Sequence, residues 1–262
     1  LFAPDGYWYN GKRIAVGEKL AAVVGQLPTL RKTVIVPYLG DERAVASAVT
    51  GAAPLEDALA AYDARTVAFT RVPFDQPLYI LFSSGTTGVP KCIVHSVGGI
   101  LLQHYKEHIL HSGIRPGDRV FYFTTCGWMM WNWLASGLAS GATLLLYDGS
   151  PFHPDGNVLF DYIAAEKARF FGTSAKYIDS VKKAGLTPRT THDLSSVATI
   201  ASTGSPLAAE SFDFVYAEIK EDVHLASISG GTDICACFAI GGPTLPVPRD
   251  ESQAPALGMA VH

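Results

Sequence analysis

Residues Leu81–Lys91 read LFSSGTTGVPK: six small or hydroxyl-bearing residues follow Leu81-Phe82, and then come Val89, Pro90 and a lysine. The residues leading in, PLYILF (77–82), are apolar and β-prone, which predicts that the run sits at the end of a buried strand. The residues leading out, CIVHSVGGILLQHYKEHIL (92–110), turn towards helical periodicity. A strand, a Gly/Ser/Thr loop and then a helix is a phosphate-binding arrangement. Small residues let the backbone come close, N–H groups and hydroxyls donate, and a lysine adds charge. A cluster of this kind alone reads as a surface turn; the lysine at fixed short distance and the apolar run before it favour the phosphate. The Walker pattern G-x-x-x-x-G-K-[ST] fails, since from Gly85 its second glycine falls on Pro90 and the residue after Lys91 is Cys92.

Outward from this loop, short apolar runs alternate with helical ones. TVIVPYL (33–39), PLYILFS, RVFYFTT, ATLLLY, ARFFGT, VATIAST and DVHLASIS read as strands; 96–112, 128–140, 157–168, 174–184 and 207–219 read as helices. The alternation predicts an α/β fold of mainly parallel sheets with helices in layers on their faces. Ligands then gather beyond the carboxyl ends of strands, at 83–91, 124–130, 202–206 and 229–233. Residues 1–75 read as a peripheral, incomplete part, and 76–262 as a binding core cut short at its C-terminal end. TLPVPRDESQAPA (244–256) reads as a polar loop.

Composition narrows the class. The 262 residues are 48% hydrophobic and only 17% charged, with net charge −4 and no basic cluster, so a large core is expected and nucleic acid is disfavoured as a partner. The chain starts at Leu1 rather than Met; it is expected to be an internal piece of a longer protein, with no signal peptide expected before it. Cys92, Cys126, Cys235 and Cys237 form no C-x-x-C pair and read as buried thiols of a cytoplasmic protein. The uncharged stretch Val120–Tyr147 is interrupted by Thr124, Thr125, Asn132, Ser136, Ser140 and Thr143, so it reads as strand, helix and strand rather than a membrane span.

Four segments in order, SSGTTGVPK (83–91), CGWMMWNW (126–133), STGSPL (202–207) and SISGGTDI (227–234), together resemble the adenylate-forming superfamily of acyl-CoA synthetases, luciferases and peptide-synthetase adenylation domains, over nearly the whole chain. TTCGWMMWNWL, KCIVHSVGGILLQH, SGGTDICACF and the opening LFAPDGYWYNGK are similar to the members that activate acetoacetate. The resemblance implies ATP, Mg²⁺ and coenzyme A, and a two-step ligation through an acyl-AMP. Ser83, Ser84, Gly85, Thr86, Thr87 and Gly88 would cradle the β- and γ-phosphates, with Lys91 as a point charge. Gly204, Ser205 and Pro206 would lie along the adenine, and Ser229, Gly230, Gly231 and Thr232 would complete the ATP site. Thr232 would donate to the α-phosphate and Asp233 would offer a hard oxygen to Mg²⁺. Many relatives carry Glu where this chain has the shorter Asp233; the alternative for Asp233 is a plain turn residue.

The acyl pocket is expected at His95, Trp128, Met129, Met130, Thr203 and Gly230. The resembling acetyl-CoA synthetases place a tryptophan at the position of Gly230, so the pocket here should admit acids larger than acetate and reject acetate only weakly. His95 reads about equally as a core histidine. Trp131 and Trp133 read as core packing. His104, His108 and His111 lie on one helix face without the H-E-x-x-H pattern, so a solvated or half-buried face is expected rather than a metal site. In the superfamily the ribose-binding aspartate, the hinge and the C-terminal lysine follow this region, and by that comparison the isolated chain is expected to turn over little or not at all. Open alternatives are a ligase for another short or medium acid, a non-catalytic ATP or AMP-binding module, and a phosphate-loop NTPase.

Overall fold

The computed structural model describes residues 1–83 and 88–261; Ser84, Gly85, Thr86 and Thr87, the middle of the loop, lie outside the described residues. Two compact units are present, one of Leu1–Thr70 with Asp148–Pro154 and one of Arg71–Tyr147 with Asp155–His262.

In the first unit, β1 (Phe2–Pro4), β4 (Thr33–Val36) and β5 (Ala52–Pro54) form a parallel sheet, and β2 (Gly6–Tyr9) pairs with β3 (Lys12–Ala15) as a hairpin. Helices α1 (Gly17–Val24), α2 (Glu42–Ala48) and α3 (Leu55–Leu59) accompany them. Leu20, Ile35, Ala46 and Val49 form its apolar centre. Buried Asp5 accepts the backbone N–H groups of Tyr38, Leu39 and Asp41 at 3.0, 2.8 and 2.7 Å, which satisfies a carboxylate that burial would otherwise penalise.

The second unit opens with the antiparallel pair β6 (Pro77–Ser83) and β7 (Lys91–Ser96), followed by α4 (Val97–Lys106) and a π turn at Glu107–His111. Then come β8 (Arg119–Tyr122), α5 (Met129–Ser136) with a 3₁₀ turn at Gly137–Ser140, β9 (Thr143–Leu145), α6 (Val158–Ala165), β10 (Phe170–Ser174), α7 (Ala175–Lys183), the short α8 (Pro188–Thr191), β11 (Thr199–Thr203), α9 (Ala209–Phe214), a π turn (Val215–Ile219) and β12 (His224–Ser227). A small antiparallel sheet of β13 (Ser229–Gly231), β14 (Ala236–Ile240) and β15 (Ala254–Pro255) completes it. The five strands β12-β11-β10-β8-β9 form one sheet, parallel throughout. The chain winds outward from β8 to β9 and then returns past β8 to β10, so the strand order reverses between β8 and β10; ligands are expected beyond the carboxyl ends at such a reversal.

Alternation assigns the two faces. On one face Tyr122 and Phe170 meet Trp133 of α5, with ring centroids 5.9 and 5.4 Å apart. On the other, Phe171 meets Phe160 of α6 and Tyr177 of α7, both at 6.1 Å. A sheet covered on both sides needs apolar residues at successive positions, which is why ARFFGT reads as a continuous run. Val120–Tyr147 is strand, helix and strand as expected, and no helix among the described residues is long and apolar enough to cross a membrane.

Three expectations fail. The quoted loop does not join a buried strand to a helix but joins β6 to β7 in an antiparallel hairpin, with Ser83 opposite Lys91. Ile93 and Val94 favour the pleated strand, and the helix waits until Ser96, whose hydroxyl accepts the Gly99 N–H at 3.2 Å and caps α4. β6 is not buried either: Ile80 is 59% and Phe82 63% exposed. Of the four free cysteines, only Cys235 and Cys237 are buried, while Cys92 and Cys126 lie exposed in the hairpin and in the loop after β8. His104, His108 and His111 are buried rather than solvated, because the face of α4 and its π turn that carries them finds main-chain partners in Cys235, Trp133 and Gly241.

Candidate active site

A cavity of about 430 Å³ opens beyond the carboxyl ends of β11 and β12. Three of the four segments meet in it: Trp128, Met129 and Met130 at the start of α5; Thr203, Gly204, Ser205 and Pro206 after β11; and Ser229, Gly230, Gly231 and Thr232 along β13. Each arrives from a different crossover, which is how a parallel sheet gathers distant residues at one edge. Trp131 packs against the core and Trp133 is fully buried, as expected of both.

Local structure explains the shape. Gly204 has φ 92°, a left-handed conformation that favours glycine, and a side chain there would stand 3.7 Å from the Trp128 ring. Thr203 Oγ1 donates to Ile228 O at 3.0 Å and ties the end of β11 to the chain leaving β12. Gly230 faces Cys237 across the β13–β14 pair, beside a register shift between Ser229 and Gly230. A Cβ on Gly230 would lie 2.2 Å from the Ala236 carbonyl oxygen and 3.0 Å from Cys237 Cα. No side chain fits at position 230 on this backbone, so a larger residue there requires β13 and β14 to part.

Residues Thr232–Cys235 form the turn from β13 to β14, closed by Cys235 N–H donating to Thr232 O at 3.2 Å, with Cys235 at φ 47°. The same carbonyl lies 2.9 Å from His95 Nε2, which donates to it and thereby joins the hairpin to the Thr232 turn. His95 does not line the cavity; nor do Asp233 and the described hairpin residues Ser83, Gly88 and Lys91. The Asp233 side chain is exposed and makes no hydrogen bond or ion pair among the described residues. Among those residues no group of three or more metal-ligating side chains occurs.

Sequence reading missed several lining residues. Leu207, Ser227, Ile228, Ala236 and Cys237 belong to strands or turns whose alternation does not reveal which face meets a cavity, and Asp250, Glu251 and Ser252 come from the loop read only as polar. It also missed what holds the cavity from behind. Glu107 is fully buried; its Oε1 accepts Cys237 N–H at 3.0 Å and its Oε2 accepts Trp133 Nε1–H at 2.9 Å. His104 donates Nε2–H to Cys235 O at 2.6 Å, and its Nδ1 lies 2.8 Å from the Ser136 hydroxyl. His111 donates Nδ1–H to Gly241 O at 2.8 Å and accepts Leu257 N–H at Nε2 at 3.0 Å. Burial holds both His104 and His108 below the usual histidine range, His108 down to about 3, so both are neutral. Burial, with Glu107 nearby, pushes the Cys235 thiol up to about 12 and that of Cys237 well above the ordinary value.

The pattern of the AMP-binding enzyme family matches residues 13–262. The chain is 66% identical over 257 residues to acetoacetyl-coenzyme A synthetase of Rhizobium meliloti, covering 98% of this chain and 39% of that protein. It is 41% identical to malonamoyl-CoA synthetase vrtB of Penicillium aethiopicum, over 100% of this chain and 39% of that protein. Its fold superposes on the structure of acetoacetyl-CoA synthetase from Streptomyces lividans with a TM-score of 0.90 at 47% identity, over 98% of this chain and 39% of that one. The chain thus spans about two fifths of the length of these relatives. The doubly wound sheet, the cavity at its carboxyl edge and the match over 13–262 agree: the chain belongs to the AMP-binding enzyme family.

Proposed function

We propose that this chain forms the acid- and ATP-binding core of a ligase that joins acetoacetate to coenzyme A. The observation that carries the reading is the single cavity shared by Trp128–Met130, Thr203–Pro206 and Ser229–Thr232; its size suits a nucleotide-linked ligand. In the first step a carboxylate oxygen of acetoacetate attacks the α-phosphorus of ATP, giving acetoacetyl-AMP and pyrophosphate. In the second the thiol of coenzyme A attacks the acyl carbon, the bond to the AMP oxygen breaks, and acetoacetyl-CoA and AMP leave. Both steps depend on holding phosphoryl charge still, so positioning and electrostatics dominate.

In this reading Gly204, Ser205 and Pro206 flank the adenine, and Thr232 donates to the α-phosphate from a turn braced by His95. Ser83 to Gly88 and Lys91 receive the β- and γ-phosphates, Ser84–Thr87 resting on sequence alone. The acyl group lies among Trp128, Met129, Met130, Thr203 and Gly230; His95, which does not line the cavity, acts only through the Thr232 turn that it braces. Asp233 fits Mg²⁺: its unpartnered oxygens are hard donors, and this ion commonly combines one or two carboxylates with substrate phosphates. When bound, Mg²⁺ neutralises charge on the phosphate oxygens. The exposed free thiols Cys92 and Cys126 suit a reducing, cytoplasmic setting.

The test is ATP–pyrophosphate exchange in the protein that carries this chain, with acetoacetate, acetate, butyrate and 3-hydroxybutyrate at equal concentration. Strong exchange with acetoacetate and weak exchange with acetate is expected. Preference for another acid keeps the chemistry and discards the substrate, an outcome to which the resemblance to a malonamoyl-CoA synthetase gives weight. Nucleotide binding without exchange for any acid would leave a binding module.

A further inference from the structure

Glu107 is an acidic side chain with no exposure, in a core otherwise built from Tyr122, Met130, Trp133, Phe170 and their neighbours. A buried carboxylate costs stability unless it is fully paired, and an apolar side chain of similar size would serve packing as well. Its contacts indicate what the carboxylate supplies instead. Oε1 accepts Cys237 N–H at 3.0 Å and Gln103 Nε2 at 3.3 Å; Oε2 accepts Trp133 Nε1–H at 2.9 Å and faces the Cys237 thiol at 3.5 Å. Lys106 Nζ stands 3.6 Å from Oε1. Every group aimed at it is a donor.

Two of those donors belong to two different elements that line the cavity, β14 and α5. Cys237 lines it from β14 and lies across from Gly230, its Cα at 3.0 Å from the place a Cβ on Gly230 would occupy. Trp133 belongs to α5, whose first turn supplies Met129 and Met130 to the same lining. The carboxylate therefore bridges β14 and α5 behind the space between Met130 and Gly230.

We propose that Glu107 is a positioning residue for acyl selection: it sets the spacing between α5 and β14, and with it the depth of the pocket beside Gly230. This rests on the reading above that the cavity takes an acyl-adenylate. Glu107→Gln is the sharp variant. It keeps the shape but turns one oxygen into an NH₂, which must face a donor, Cys237 N–H or Trp133 Nε1–H, whichever way the amide sits.

The experiment is calorimetric binding, in the protein that carries this chain, of the non-hydrolysable sulfamoyl adenosines bearing acetoacetyl and acetyl groups, with AMP as reference. Wild type should prefer the acetoacetyl compound, and Glu107→Gln should shrink that preference by about fivefold or more while AMP affinity changes less than about twofold, the scale on which a pocket counts methylenes. A purely structural role would weaken all three ligands together. An unchanged preference in a folded Glu107→Gln variant overturns the proposal. Should that variant fail to fold, Trp133→Phe keeps an aromatic ring, smaller than the indole, and removes one donor to the carboxylate, and must reduce the same preference; if it does not, the proposal falls. Wild type that binds AMP but neither acyl compound overturns the acid-ligase reading and this one with it.

Discussion

The cavity has two long walls, and they are held by different means. Thr203–Pro206 continue β11, which lies between β10 and β12 in parallel ladders, so main-chain hydrogen bonds on both sides fix that wall. The β13–β14 wall is short, with a three-residue strand on the cavity side, and is fixed from behind by side chains of α4 and its π turn: His104 on Cys235, Glu107 on Cys237 and His111 on Gly241. A ladder survives most side-chain changes because its partners are backbone. A wall held by buried side chains does not, since removing one partner leaves the other desolvated and unpaired.

The largest blow to this contrast is Trp133→Ala. It empties a fully buried indole site and orphans one Glu107 oxygen, and it should cost about 3–5 kcal/mol, read as a fall in the urea midpoint. Next is pH. Because the folded state holds His108 near 3 while the unfolded chain titrates near 6.5, the unfolded chain binds more protons between those two values. The stability is fully present above pH ~6.5 and is lost as pH falls, by roughly 1.4 kcal/mol per unit for this one group. Urea midpoints at about pH 7 and about pH 5 should differ accordingly, and His108→Gln should flatten the slope.

Gly230→Ala tests the side-chain-held wall at its front. Its Cβ meets Ala236 O, so an overpacking cost of about 1–3 kcal/mol is expected, with weaker acyl-adenylate binding than AMP binding. Gly204→Ala tests the ladder-held wall; the left-handed φ costs roughly 1–2 kcal/mol, with no shift in acyl preference by the same calorimetry. The smallest effect belongs to neither wall. Arg249→Ala breaks a bidentate pair with Asp213 at 2.9 Å on exposed side chains and should leave the urea midpoint nearly where it is, because solvent screens an exposed pair.

The ladder-held wall and the β13 front of the other were legible in the sequence; β14 and the side chains that hold it from behind were not, for a physical reason. VATIAST and DVHLASIS carry the apolar, β-branched character of sheet strands, and the small residues after them mark the carboxyl edge. The hairpin misled because LYILF has the same character as ARFFGT although it is largely exposed, and composition does not report which surface covers a strand. His104, Glu107, His108 and His111 have the spacing of a solvated polar stripe. Their burial depends on carbonyl and N–H groups of Cys235, Cys237, Trp133 and Gly241, far along the chain, so no local pattern could announce it.

Because its lining runs from Trp128 to Ser252 through separate crossovers, the cavity has no counterpart in the unfolded chain. Any ligand that fills it binds the native form alone and shifts the folding equilibrium by mass action, adding about 2.7 kcal/mol at a concentration one hundred times its Kd. Resistance to heat thus becomes a gauge of occupancy, able to rank acids and nucleotides against one another without a single turnover.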